Sequence, residues 1–473
     1  MRLALRLLPL VLASCASAPR VQPPPEPAAP TVDWAAAGQE AVSQLAAYLQ
    51  VDTRNPPGNE RAGAEFLAAL LRREGISSTL YEFAPGRASL VARLPAVGAP
   101  QQRPLCLMSH LDVVPAEDGA WPPDAQPLSG AIKEGFVWGR GALDMKSMGI
   151  LEAFTLVQLK RQGIALRRDV VLVAVGDEEV DNLGVKDLLD HHWDNLDCGV
   201  LLNEGGVGLR DLLFEGQTVF PITVAERGTL WLRVTARGEP GHGSTPVPGR
   251  APGKLLAALE RLAARAPPPR IHGSLYELLA RAGTEQGGVE GWIAGRPWLV
   301  DLLVTPKLMA QPPTRAALTN SCQVTGLEGH GTSPNVVPGE VSAIVDCRVR
   351  PDTQPGALLE ELRTLLGPEV ELQVLHAQPG SESPWDDPFF QALAREVTRG
   401  LPRAVAGPAI SPGYTDSNLV RPRGTRAYGL VPIVLDEQLL RTMHGNGERV
   451  PVTEIHRGLE VLFRAVVSAA GAR

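Results

Sequence analysis

At 473 residues the chain exceeds what one hydrophobic core usually supports, so two or more domains are expected. Hydrophobic residues at 44% and charged residues at 21% are ordinary for a globular protein. A formal net charge of −7 leaves no basic footprint, which excludes nucleic acid as the expected partner.

In chain order, MRLALRLLPLVLASC comes first. Arg2 and Arg6 precede an apolar run, Leu7 to Leu12, that is too short to span a bilayer. Leu12-Ala13-Ser14-Cys15 resembles the bacterial lipoprotein cleavage box, so residues 1–15 read as a lipoprotein signal peptide, with ordinary secretion as the alternative. That resemblance implies a place in the bacterial cell envelope, lipid-anchored or periplasmic, touching a membrane only through an anchor at Cys15. Residues 16–33 are Pro- and Ala-rich and read as an extended tether. An export route permits disulfides, but four scattered cysteines form no framework in so long a chain. Buried free thiols are the expectation for Cys106, Cys198, Cys322 and Cys347, only the last two looking close enough to pair.

From Trp34 two stretches repeat apolar positions at helical spacing, AAAGQEAVSQLAAYLQ and ERAGAEFLAALLRREG. Short apolar runs without alternation follow, among them PLCLMS, DVVLVAV and CGVLLN, separated by helical stretches. This is the pattern of a parallel sheet covered on both faces. Near Phe220 the order becomes β-α-β-β-α-β, that of a split ferredoxin-like unit, interrupted from 267 to 318 by an insertion of uncertain shape. After Pro384 helix and strand patterning resumes. The expected fold is α/β: a mainly parallel sheet domain flanked by helices (34–219 and 381–473), with an inserted ferredoxin-like α+β lid domain (220–380).

Chemistry gathers at the strand ends. His110 and Asp112 lie two apart after PLCLMS and so point the same way, at the carboxyl end where open α/β sheets place ligands. VVLVAV runs into Gly176-Asp177-Glu178-Glu179, and GVLLN into Glu204-Gly205-Gly206. Packed together, such carboxylates repel and are costly to desolvate, and a divalent cation relieves both penalties. A solvated acidic rim is the plainer alternative, which three coincident strand ends disfavour. Taken alone, Asp144 reads as a helix N-cap and His444 in TMHGNGERVP as a loop histidine.

Five ordered motifs carry a resemblance: SHLDVVP (109–115), GRGALDMK (139–146), DEE (177–179), NEGG (203–206) and MHGN (443–446). They resemble those of zinc metallopeptidase family 20, which contains aminoacylase, carboxypeptidase S, acetylornithine deacetylase and succinyl-diaminopimelate desuccinylase, over roughly residues 40 to 465. The carboxypeptidase S and secreted N-acyl amino acid hydrolase branch looks nearest. The resemblance implies two Zn2+ ions, with Co2+ or Mn2+ as alternatives. Asp144 would bridge them, His110 and Glu204 completing one ion, Glu179 and His444 the other. Asp112 would orient His110, Glu178 would be the general base, and the peptide after Asp144 would be cis. It further implies that His242 stabilises the oxyanion, that Asn335 and Arg348 sit near the substrate carboxylate, and that Gly413 belongs to a substrate loop. Arg348 read without it is equally a structural ion-pair residue. The implied activity is hydrolysis of the amide to a C-terminal amino acid in peptides or N-acyl amino acids, a preference that Glu204 supports. A dipeptidase or aminopeptidase, or a non-catalytic binding lipoprotein, are the alternatives, and a homodimer is left open.

Overall fold

The computed structural model describes residues 32–472 apart from 118, 311, 330–332 and 412. The segments expected as a signal peptide and tether, with Cys15, lie outside the described residues apart from residues 32 and 33. No helix among those described is long and apolar enough to cross a membrane.

A nine-stranded sheet organises the larger part of the chain. Its path runs Ser78–Ala84, Arg87–Leu94, Val170–Val175, Leu105–His110, Val200–Arg210, Arg426–Leu435, Thr218–Glu226, Ser381–Glu382, with Ala404–Ser411 also paired to Thr218–Glu226. The four neighbours from Val170–Val175 to Arg426–Leu435 are mutually parallel. These strands show no polar alternation because each face has its own core. Leu105, Leu107, Val170 and Leu172 pack with the helices Trp34–Leu49, Lys146–Arg161 and Val452–Ala470, whereas Cys106, Met108, Val171 and Val173 pack with Leu183–His191.

The lid is a four-stranded antiparallel sheet ordered Ser321–Glu328, Glu340–Val349, Gly228–Arg237, Val370–Gln378. The helices Ala251–Ala263 and Pro355–Leu366 cover one face, where Leu230, Leu232 and Val234 meet Leu255, Leu262 and Leu362. The expected α/β architecture with a ferredoxin-like insertion is what the chain adopts.

Three details differ from expectation. Residue 220 lies inside Thr218–Glu226, a strand of the large sheet, so the lid sheet begins only at Gly228. The insertion is helical, and its first helix, Gly273–Gln286, docks on the large sheet rather than on the lid. Arg281 Nη1 donates to Ala406 O at 3.2 Å, and Gln217 Nε2 to Ala282 O at 3.0 Å. The ends of the insertion meet where Arg270 N donates to Leu318 O at 2.9 Å, so the detour leaves the lid sheet undisturbed. Finally, the four described cysteines are not free thiols. Cys322 pairs with Cys347, its register partner across two antiparallel strands, and Cys106 pairs with Cys198. The second pair is 92 residues apart in sequence, and only the parallel neighbourhood of Leu105–His110 and Val200–Arg210 brings it together.

Candidate metal centre

Parallel strands end at one edge of a sheet, so residues distant in sequence converge there. His110 closes Leu105–His110. Asp177 follows Val170–Val175 with a φ of 70°, turning the chain so that Glu178 and Glu179 follow at the same edge. Glu204 arises differently from expectation. Its strand does not stop at Asn203 but runs on to Arg210, and the register to Arg426–Leu435 slips between Gly429 and Leu430. The slip is enforced by close packing, since a Cβ on Gly429 would lie 2.2 Å from Glu204 O.

Asp144 is not a helix cap: the cap position of Lys146–Arg161 is Met145, with no side-chain cap bond. The Asp144 carboxylate instead lies between two imidazoles, Oδ1 2.9 Å from His110 Nε2 and Oδ2 2.9 Å from His444 Nε2. His444 Nε2 is 3.3 Å from Glu179 Oε1, and His110 Nε2 is 3.9 Å from Glu204 Oε1. Donor atoms of His110, Asp144 and Glu179 all fall within 4.8 Å of one another, as do those of His110, Glu178 and Glu204. The Asp144–Met145 peptide is cis.

The electrostatics are those of a site crowded with negative charge. Burial, and then the neighbouring Glu204, push the Glu178 carboxyl well above its ordinary pKa; burial and Asp144 do the same to Glu204. Burial also opposes ionisation of Asp144, but the two histidines outweigh it and hold this carboxyl low. The hydrogen bond to Asp144, and then the neighbouring Glu179 carboxylate, push His444 up to about 10. Burial presses His110 down, yet Asp144 and Glu204 raise it overall. The imidazoles thus stand in for positive charge that the carboxylates demand. Glu179 Oε1 is buried and makes no hydrogen bond of good geometry. A donor set of imidazoles and carboxylates with an unsatisfied buried oxygen fits a divalent metal of the zinc type.

Asp112 departs from its expected role. His110 Nδ1 is 2.9 Å from the backbone carbonyl of Asp112 and 3.8 Å from its carboxylate, so the main chain orients the imidazole. The fully buried carboxylate instead accepts from the amides of Glu178 and Glu179, each at 3.2 Å, and from Asn55 Nδ2 at 2.9 Å. Nearby, Glu60, Asp112 and Asp177 form another acidic cluster, but the guanidinium of Arg87 already joins Glu60 and Asp177.

Sequence reasoning missed Arg140 and Glu448, although Arg140 lies within GRGALDMK and Glu448 two residues beyond MHGN. Their buried ion pair is 2.6 Å long; Glu448 Oε1 accepts from Leu143 N at 2.7 Å and Asp144 N at 3.2 Å, while Arg140 Nη2 donates to His444 O at 3.3 Å. One pair therefore positions two of the candidate ligands.

The lid residues are not part of this cluster. His242 is exposed and bonds to Ser244 Oγ at 2.7 Å and Asn335 Nδ2 at 3.1 Å, on the short ribbon of Gly241–His242 and Val336–Val337. Arg348 lines a cleft with Glu178 and Glu179 and also makes the ion pair to Asp346 at 3.1 Å, so both readings of it hold geometrically. Gly413 lies before Tyr414, whose hydroxyl donates to Gln378 Oε1 at 3.2 Å in that same cleft.

Residues 106–468, which include every candidate ligand, match the model of peptidase family M20/M25/M40. The chain is 28% identical to human N-fatty-acyl-amino acid synthase/hydrolase PM20D1, over 78% of this chain and 75% of that protein. It is 29% identical to rat aminoacylase-1A, over 91% and 95%. Its fold resembles the M20 family metallo-carboxypeptidase Sso-CP2 from Sulfolobus solfataricus, with a TM-score of 0.65 at 17% identity over 91% of this chain and 99% of the other.

Proposed function

The chain belongs to peptidase family M20/M25/M40 and is a hydrolase of that metal-dependent family, and from this premise we propose that it is a di-zinc amidohydrolase cleaving the amide bond to a C-terminal amino acid in peptides or N-acyl amino acids. One observation carries the reading: Asp144 presents one oxygen to each of two imidazoles, 2.9 Å away on either side, the arrangement a carboxylate shared by two ions requires. Glu204 and Glu179 lie beside the two histidines. His110 and Glu204 would hold one ion, His444 and Glu179 the other. An aminoacylase and an N-fatty-acyl-amino acid hydrolase among the relatives support an acylated amino acid as substrate.

When bound, the zinc pair polarises the scissile carbonyl and lowers the pKa of water to about 7. Glu178 takes the proton of the attacking water and passes it to the leaving amine nitrogen. Asp112 keeps that glutamate in place through the two amides it accepts from. The planar fork of Arg348 suits the α-carboxylate of the amino acid. His242 and Asn335 lie together on the lid edge, to act on the oxyanion once the lid closes.

Chelation followed by add-back of Zn2+, Co2+ or Mn2+ tests the proposal on a panel of N-acyl amino acids and dipeptides. Loss and recovery of N-acyl amino acid cleavage, with two metals per chain by elemental analysis, is the expected result; cleavage of dipeptides alone defeats it. We further propose export with lipidation at Cys15, a reading that both cysteine pairs support. A Cys15→Ser protein should move from the membrane fraction to the soluble one.

A further inference from the structure

The cleft beginning at Glu178 and Glu179 encloses about 520 Å³, and its opposite wall is the open face of the lid sheet. That wall is built in rows. Arg348, Thr229 and Gln378 are register partners across three strands, and Asp346, Trp231 and His376 form the next row. Leu230 and Leu232 point into the lid core, so Trp231 between them faces the cleft, where 42% of it is exposed. The indole is not loose: Nε1 donates to Asp346 Oδ1 at 3.0 Å, and the His376 ring lies 5.0 Å from it. The other oxygen of Asp346 accepts from Arg348 at 3.1 and 3.2 Å. One carboxylate thus fixes a guanidinium and an indole side by side. Burial, and then Lys186, hold His376 below its ordinary pKa, which disfavours its charged form.

We propose that Trp231 and His376 form the side-chain subsite for the C-terminal amino acid of the substrate and select aromatic or large apolar side chains. The argument rests on the function proposed above. An α-carboxylate and a side chain leave the same carbon, and adjacent same-face rows of a strand lie about 7 Å apart. A residue held at Arg348 by its carboxylate therefore lays its side chain across the neighbouring row. A large ring there covers the exposed indole face, a contact favoured by aromatic packing geometry as well as by area removed from water.

The test uses two substrate series with the metal-loaded enzyme: N-acetyl derivatives of Phe, Leu, Ala and Gly, and N-acyl-phenylalanines of increasing acyl length. Trp231→Ala should lower kcat/KM for N-acetyl-Phe, chiefly through KM, by about tenfold more than for N-acetyl-Ala and N-acetyl-Gly. Trp231→Phe should restore most of the loss. A uniform loss across the first series, or a loss that tracks acyl length in the second, overturns the assignment. If the wild-type protein cleaves none of these compounds, the proposed function falls, and calorimetric binding of free L-Phe and L-Ala decides the subsite separately. Tighter binding of L-Phe that Trp231→Ala abolishes supports it; equal affinities overturn it.

Discussion

Among single residues, Glu178 has the sharpest expected effect. Glu178→Gln keeps the shape and removes the proton acceptor, so kcat should fall by about 10²–10⁴ while bound metal, measured by elemental analysis, stays unchanged. Asp112→Asn probes a different link. The native carboxylate accepts three hydrogen bonds, from the amides of Glu178 and Glu179 and from Asn55, and an amide would turn one acceptor into a donor against them. Activity should fall about 10- to 100-fold, the usual cost of disturbing a residue that supports ligands. Glu152 makes a prediction about stability alone. It is fully buried, neither carboxylate oxygen has a partner of good geometry, and burial pushes its carboxyl well above the ordinary value, with Ser109 only partly offsetting this. A carboxyl with a raised folded-state pKa loses stability as pH rises from its unfolded value towards the folded one. Glu152→Gln should therefore be neutral near pH 4 and increasingly stabilising above it, by up to about 1.4 kcal/mol per pH unit, as chemical denaturation at several pH values would read.

Elements were legible in the sequence where one physical rule decided them. The unbroken apolar runs PLCLMS and VVLVAV have cores on both faces, so neither could show alternation, and that absence identified a covered parallel sheet. The ligand edge followed, because parallel strands finish on the same side. What stayed hidden depended on contacts between distant segments. The slip at Gly429 that keeps the Glu204 strand running is set by another strand's backbone, and no local pattern announces it. Likewise the Arg140–Glu448 pair spans 308 residues, and each partner alone looks like a loop charge. The Cys106–Cys198 link belongs to this class, and it makes its own prediction. It closes a 92-residue stretch, for which chain entropy gives about 4–5 kcal/mol. The double Cys106→Ser, Cys198→Ser protein should unfold at lower denaturant by about 2–5 kcal/mol, whereas the same change at Cys322 and Cys347, only 25 residues apart across a paired ladder, should cost less.

At the scale of the whole molecule, function depends on joining a lid to a metal edge. The chain passes between the two sheets twice, at Glu226–Gly228 and at Gln378–Ser381, and the passages touch: Ser381 pairs with Glu226 and Gln378 with Thr229. Glycines permit that closeness, since a Cβ on Gly228 would lie 2.4 Å from Gln378 O, and one on Gly380 2.6 Å from Glu226 O. Consecutive residues then grip opposite sides. Glu226 is held by Arg421 at 3.0 Å and by the Thr415 amide at 2.8 Å, in the large domain; Arg227 donates to Thr319 O at 3.0 Å and Arg348 O at 2.6 Å, on the lid side. With both sides clamped, any rotation of the lid would concentrate at the Glu226–Arg227 link and at the second passage beside it, which is what a hinge needs. His242 and Asn335, bonded to each other and exposed, gain a role only if that rotation carries them toward Glu178. A non-hydrolysable N-acyl amino acid analogue should therefore reduce the radius of gyration in small-angle scattering, and His242→Ala should lower kcat far more than it weakens binding of the analogue. Identical scattering profiles with and without the analogue would remove the hinge. Should activity survive His242→Ala as well, the lid would serve only to wall the cleft with Arg348 and Trp231.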